Sequence, residues 1–517
     1  MLREAPVTAV QDALRHRRRL MSPLYALVAL ILLLGLFAVV GAAYTIWRLA
    51  QDRTPYHADI VEHFKYGSIG TEPESGLPYW IWQALPRLFP EAFDNRADYS
   101  AFGFLYERGS DGKQRDLPVG IARREVNGID AAWFNCAVCH TGTYRERPNG
   151  PTHLVAAMPS NNLDLYRFFV FLLDAGADER LSPERLIPAM REAGAGIGAI
   201  EALVWRYYVI PRVREGLVMR RSRLMPLLAE QPAWGPGRVD TFNPYKLLFK
   251  GDQLSDLDPA ERIGTADFPS VFLQGPRRGM QLHWDGNNPS LEERNLSAAL
   301  GAGVTAETVD HEAIGRVATW LLDLRAPPSP HRPDPEAVAR GRPVYMHECA
   351  ACHGYQDGDR YVFEGQHLGR VEPNVRLSVD PARLDSYTAE FQQYQVGELF
   401  GGTPYQFRHF RKTDGYANLP LDGLWLRAPY LHNGAVPTLA DLLRPPKERP
   451  AAFVRGLDLL DVARGGFIAP ACDPAQLRTE GICFDTRLPG NGNQGHDYGT
   501  SLPDAEKADL LAYLLTF

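Results

Sequence analysis

Two short runs, NCAVCHTG from Asn135 to Gly142 and ECAACHG from Glu348 to Gly354, each place two cysteines and a histidine within five residues. Cys-x-x-Cys-His is the spacing that attaches haem covalently: the two thiols bond to the porphyrin vinyl groups and the adjoining imidazole reaches the iron from one face. A zinc site would need further cysteine or histidine ligands at finger or ribbon spacing, and neither run has a second cysteine pair nearby. A redox dithiol is expected between a strand and a helix. The two runs use four of only six cysteines, and each is followed by glycine within two residues. The spacing therefore predicts two covalently bound haem c groups. Cys136, Cys139, Cys349 and Cys352 would hold them, with His140 and His353 as proximal iron ligands.

The other two cysteines, Cys472 and Cys483, stand 11 residues apart in CDPAQLRTEGIC. A turn between them would allow a disulfide, which persists only in an oxidising compartment; two free buried thiols are the alternative. Residues 24–47 carry no charged side chain, and Arg15, Arg17, Arg18 and Arg19 precede them. That run is long enough to cross a bilayer core of about 30 Å, and the basic flank would stay on the cytoplasmic side. The sequence thus predicts a basic tail over 1–23, a transmembrane anchor over 24–47, and haem domains in the periplasm of a bacterial inner membrane. A cleaved leader ending near Gly41, Ala42 and Ala43 is the other reading. The chain carries a net charge of −7, and its basic residues do not suit a nucleic-acid partner. The glycine-rich run at 193–198 lacks the strand–turn–helix setting of a nucleotide site.

Each haem motif must be positioned by the elements around it. The stretch from Asp310 to Pro327 sets Ile314, Val317, Ala318, Leu321 and Leu322 on one helical face, and Ser501 to Phe517 does the same with Leu510, Leu511 and Leu514. Ser501 reads as the N-cap of the last helix, with Asp504 closing a capping box. PPSPHRPDP, from Pro327 to Pro335, is too rich in proline for helix or central strand. The expected fold is mainly α with long loops and small hairpins: two cytochrome c-like haem domains over 54–326 and 336–517, joined by a linker over 327–335 and preceded by one transmembrane helix. Tyr79, Trp80 and Trp82 would line an apolar surface or pack in the core.

A haem iron with protein ligands on both faces mainly transfers electrons, whereas an open face binds oxygen or peroxide. For the second haem, His496 in GNGNQGHDYG lies in a glycine-rich loop able to present a side chain closely, and His432, His409 and His367 are the other candidates. For the first, His283, Met280 and Met158 are available, the methionines being equally suited to core packing. Trp284 could sit beside or between the haems.

CAVCH and CAACH, taken with GMQLHWDGNN, PLDGLWLRAPYLHNGAVPTLADLL and LPGNGNQGHDYG, make the chain resemble the two-haem c-type cytochromes related to bacterial rubber oxygenases, distant relatives of the di-haem cytochrome c peroxidases. The resemblance covers most of 54–517. It implies that the haem at His140 is the oxygen-reactive centre without a firm distal ligand. It also implies that His496 closes the haem at His353, and that His432 lines the region between the domains; we group His432 and Trp284 with His140 as candidate catalytic residues. The implied function is a membrane-anchored haem-dependent oxidoreductase, an oxygenase acting on an apolar unsaturated small molecule. The alternatives are a peroxidase, or an electron-transfer cytochrome serving a redox partner protein or a membrane respiratory complex.

Overall fold

Proline, glycine and short polar runs break this chain into brief elements. The computed structural model describes residues 50–476 and 481–517 continuously, together with residues 11, 25–37, 39–41, 43 and 47. The chain divides into two units, Met1–Thr54 with Arg124–Asp130, and Pro55–Arg123 with Ala131–Phe517. In the first, residues 25–37 are helical and exposed, and Arg53 pairs antiparallel with Glu125.

The second unit carries both motifs. Its helices that position the site are α1 (Ile60–Tyr66), α2 (Leu165–Ala177), α3 (Ile210–Glu230), α4 (Leu291–Ala302), α5 (His311–Leu321), α6 (Pro335–Glu348), α7 (Ala350–His353) and α8 (Asp504–Leu514). The strands are short and pair into small antiparallel sheets. β1 (Leu77–Pro78), β2 (Ile121–Val126) and β3 (Ile129–Phe134) form the largest, in the order β1-β3-β2. Two-stranded ribbons follow: β4 (Thr141–Tyr144) with β5 (His153–Ala156), β6 (Arg238–Asp240) with β7 (Thr265–Asp267), β8 (Tyr355–Asp357) with β9 (Arg360–Val362), β10 (Val371–Pro373) with β11 (Gly415–Ala417), and β12 (Ala452–Arg455) with β13 (Ile482–Asp485). The architecture is mainly α with small sheets, and no strand is long enough to form an extended layer among the described residues.

The helices pair around each motif. Ahead of the first, α1 packs on α5, where His63 Nε2 lies 3.2 Å from the carbonyl of Ala313. Around the second, α6 packs along α8. One core joins them, running from Phe64, Val317 and Leu321 to Tyr345, Leu510 and Leu514. Capping follows local chemistry at Asp310, whose carboxylate accepts from Ala313 N at 2.8 Å to start α5. The last helix differs from the expectation: it starts at Asp504 with Pro503 at its cap, and Ser501 lies outside it. Proline at that position fixes φ without offering a side-chain acceptor, so the capping box does not form. Tyr79 and Trp82 are core residues, and Trp82 stacks on Tyr99 with ring centres 3.9 Å apart.

The α6–α8 crossing depends on Gly341. A Cβ there would lie 1.9 Å from the backbone oxygen of Asp509. On an open helix face alanine would stabilise by about 1 kcal/mol relative to glycine. Against a backbone oxygen the helices must separate, at a cost of about 1–3 kcal/mol. Gly341→Ala is therefore expected to lower the denaturant midpoint; a raised midpoint would show that the crossing is loose.

Cys472 and Cys483, 11 positions apart in sequence, are disulfide-bonded. The bond ties the segment after Ala471 to β13, which pairs with β12 through Cys483 opposite Val454. Restricting a loop of this length in the unfolded chain is worth roughly 2–4 kcal/mol. Cys472→Ser with Cys483→Ser should lose that amount in equilibrium unfolding, and an unchanged midpoint would contradict it.

The expected transmembrane anchor is corrected. Parts of 24–47 lie outside the described residues. Among the described residues no helix is long and apolar enough to cross a membrane. The single-pass inner-membrane placement with periplasmic haem domains, the membrane as a partner through that helix, and the membrane-anchored form of the function are withdrawn with it.

Candidate functional site

The first motif begins where β3 ends. Asn135 is fully buried, and its side chain makes the turn: Oδ1 accepts from Ala137 N at 3.0 Å, while Nδ2 donates to the Gly67 carbonyl at 3.0 Å after α1. Cys136–Val138 form one 3₁₀ turn, and β4 leaves immediately after His140. The second motif is built differently. Cys349 caps α6, α7 carries Cys352 and His353, and Gly354 leaves with φ 75°. The Tyr345 hydroxyl, buried against the helix pair, donates to the Gly354 carbonyl at 2.8 Å, and that of Tyr361 donates to the carbonyl of His353.

Both motif histidines are held by the same device. His140 Nδ1 lies 2.9 Å from the Pro269 carbonyl, and His353 Nδ1 lies 2.7 Å from that of Leu419. A carbonyl only accepts, so Nδ1 carries the proton in each and Nε2 keeps its lone pair for a metal. Burial pushes both imidazoles below their ordinary pKa, His140 to about 4 with the Arg294 charge contributing. Neutral rings with a free Nε2 are the form that binds iron. The four motif cysteines are not disulfide-bonded, and burial raises their thiols, Cys136 to about 11 and Cys139 and Cys349 to about 12. Activated redox dithiols have depressed pKa values, so the dithiol reading does not suit these environments.

A cavity of about 1310 Å³ takes in both motifs, larger than the roughly 300–1,000 Å³ of a single small-ligand site. His496 enters it opposite His353, their ring centres 6.3 Å apart. Two imidazoles on one metal, each with a nitrogen–metal bond of about 2.0 Å and a little over 1 Å from nitrogen to ring centre, stand about 6.3 Å apart. The spacing therefore fits a single iron between them. No such partner ring pairs with His140 among the described residues.

His496 is presented by a backbone under constraint. It has φ 52°, and Gly495 has φ 76° with no room for a Cβ, which would meet the Leu377 carbonyl at 2.3 Å. Arg449 gathers the loop by donating to the carbonyls of Asn493 at 2.6 Å and Gly495 at 2.7 Å. Asn433 Nδ2 donates to Gly490 and Gly492, and Asp380 accepts from Gly492 N at 3.0 Å.

The other sequence candidates fall into two groups. His432, His283 and Trp284 line the cavity. His432 is buried, stacks on Tyr416 at 4.2 Å and has its Nε2 3.1 Å from that hydroxyl; burial and the charges of Arg383 and Arg238 hold it well below the usual histidine range. His283 Nδ1 meets Asn287 Oδ1 at 2.6 Å. The remaining candidates are elsewhere: His409 is bound to Glu293 at the surface, His367 lies outside the cavity lining, Met158 is a core residue, and Met280 packs on Gly369.

Sequence reasoning missed the groups that knit the site together. Asp267 of β7 donates its N–H to the His432 carbonyl at 2.9 Å, while its carbonyl accepts from Trp284 Nε1 at 2.8 Å. Its carboxylate accepts from Arg455 at 2.8 Å and faces Arg238 at 3.7 Å, all three being buried. Gly434 lies beside them with φ 63°, and a Cβ there would push on the guanidinium of Arg455, 2.1 Å away. An apolar arm of the cavity was also not foreseen: Leu165, Phe169 and Leu172 of α2 face Leu217, Leu224 and Leu228 of α3.

This segment connects the chain to a cytochrome c-like class. Residues 415–454, which contain Tyr416, Leu419, His432 and Gly434, match the family described as RoxA-like, cytochrome c-like, and so support a haem-binding fold. The chain is also 30% identical over 301 residues to the uncharacterised protein y4iM of Sinorhizobium fredii, an alignment covering 52% of this chain and 68% of that protein. It belongs to the same family as that protein. A second protein of the same organism, the uncharacterised y4iJ, is 41% identical over 110 residues, 20% of this chain and 17% of its own length.

Proposed function

We propose that this protein is a di-haem c-type oxidoreductase, with the haem at His353 closed by His496 and the haem at His140 facing an apolar substrate. One observation carries the reading: a single cavity takes in both motifs, and among the described residues only one of the two motif histidines faces a second imidazole at iron-spanning distance. The closed centre would store and relay electrons, and the open one would be the reaction site. Bound at His140, a haem would supply the oxygen or peroxide activation that amino-acid side chains lack.

The chain's own residues do the rest. Pro269 fixes the tautomer of His140, and Leu419 that of His353. The apolar walls of α2 and α3 exclude water and align a hydrocarbon chain toward His140. Trp284 and His432, locked to one strand through Asp267, keep the cavity wall between the motifs fixed. This lining supports an apolar unsaturated substrate. Oxidative cleavage of its carbon–carbon double bond by O₂ places one oxygen atom on each new carbonyl carbon, so the reaction balances without an external reductant. A peroxidase would instead consume electrons from a redox partner protein.

Carbon monoxide added to the reduced holoprotein is expected to change the spectrum of one haem and leave the other unaltered. Squalene turned over under ¹⁸O₂ is expected to give carbonyl fragments labelled at both new oxygens. Two unresponsive haems would overturn the open-site assignment, and unlabelled carbonyls would overturn the oxygenase reading.

A further inference from the structure

The His140 half of the cavity is lined by a half-buried cation, Arg294, that no carboxylate neutralises among the described residues. Arg294 of α4 lines the cavity, and its guanidinium donates to Asn295 Oδ1 at 2.9 Å. No carboxylate lies within ion-pair distance of it among the described residues; neighbouring Glu293 is turned away, bound to Asn288 and His409. Asn295 passes the contact on through Nδ2 to Gln274 Oε1 at 3.5 Å. Gln274 is 1% exposed and also lines the cavity, yet its Nε2 has no hydrogen-bond partner. A cation without a counter-ion and a buried amide donor without a partner thus line the same cavity. Together they fit an anion that the chain does not provide.

The second motif shows the contrast. Arg427, the charge beside His353, is paired with Asp422 at 3.1 Å, and Arg277 shares the same carboxylate. That side carries a carboxylate of its own, shared by two guanidiniums. At Arg294 no carboxylate takes that place among the described residues.

We propose that Arg294 and Gln274 form a carboxylate-binding site beside His140. Planar guanidinium and amide N–H groups match the two oxygens of a carboxylate. Two sources share that chemistry: a propionate of the porphyrin, which rests on the haem reading above, and the head group of an unsaturated fatty acid lying in the apolar arm.

The test uses the holoprotein and its Arg294→Gln, Arg294→Lys and Gln274→Leu variants, with two readouts. The first is the reduction potential of the haem that responds to carbon monoxide, without added ligand. The second is spectrophotometric titration with oleate and with oleyl alcohol, which differ only in the head group. If the carboxylate is the porphyrin's, Arg294→Gln lowers the potential by an amount equal to a tenfold shift in the ferric–ferrous equilibrium, about 59 mV for one electron. Gln274→Leu, which removes no charge, then moves it in the same direction, Arg294→Lys restores it, and both ligands titrate as in the parent. If the carboxylate belongs to a fatty acid, Arg294→Gln weakens oleate at least tenfold and leaves oleyl alcohol unchanged. A potential and an oleate affinity both indifferent to Arg294→Gln and Gln274→Leu would overturn the proposal. Failure of the haem reading is separately visible as a bare-chain mass, whereas failure of this site leaves the porphyrin content intact.

Discussion

Replacing His496 by alanine is expected to open the second haem and to double the carbon monoxide bound by the reduced protein, from one equivalent to two. The effect follows from geometry. His496 and His353 present their rings to one another across 6.3 Å, the separation of two imidazoles on one metal. His496 is half-buried, desolvation pushes its pKa to about 4, and its buried Nδ1 has no protein partner, so no structural hydrogen bond of that nitrogen accounts for its position. The loop that carries it adopts two consecutive left-handed residues, Gly495 and His496, an arrangement retained where the surroundings dictate it. Added imidazole should fill the space left by His496→Ala and return the six-coordinate spectrum. A variant that still binds a single equivalent would show that His496 is not an iron ligand.

Asp267→Asn is expected to lower the stability of the holoprotein by about 3–5 kcal/mol, the range seen when one partner of a buried ion pair is removed. The substitution hardly changes shape. It removes the only carboxylate within ion-pair distance of Arg238 and Arg455 among the described residues, and both guanidiniums are buried. Burial already pulls Arg238 down to about 9, and it raises Asp267 more than the two cations lower it. Arg238 also holds the loop of His496, donating to Asn491 Oδ1 at 2.8 Å and to the Gly490 carbonyl at 3.2 Å. The loss should therefore extend to the second haem as a broadened or mixed-ligand spectrum. Combining Asp267→Asn with Arg455→Gln removes one stranded cation and should recover part of the stability. Urea unfolding checks both variants; a change for Asp267→Asn of less than about 1 kcal/mol, the scale of an exposed pair, would show that the cluster is hydrated.

The parts of this site that the sequence made legible are those fixed by covalent spacing or by backbone freedom. Cysteines bonding to one rigid porphyrin must keep their separation, so CAVCH and CAACH stand out wherever the fold places them. His496 was marked by the glycines before it, because only such a loop brings a side chain that close to a wall. The opposing carbonyls of Pro269 and Leu419 left no mark, since a backbone acceptor has no residue signature. Arg294, Gln274 and Asp267 were equally silent: each is a lone polar residue whose meaning arises from burial and from partners distant in the chain. The charge-free run over 24–47 was legible as composition, yet among the described residues no helix is long and apolar enough to cross a membrane. Ser501 matched a capping pattern, but Pro503 intervenes and moves the helix start to Asp504. The small hairpins were foreseen in kind, although their register depends on pairings such as Arg238 with Asp267 that no local pattern encodes.

The central claim is that Cys136, Cys139, Cys349 and Cys352 each bond to porphyrin. Mass spectrometry of the denatured, acid-extracted polypeptide tests it most directly, alongside variants in which one cysteine pair is changed to serine. The account predicts the mass of the chain plus two haem groups, and one haem fewer for each pair replaced. A polypeptide with the mass of the bare chain would contradict it.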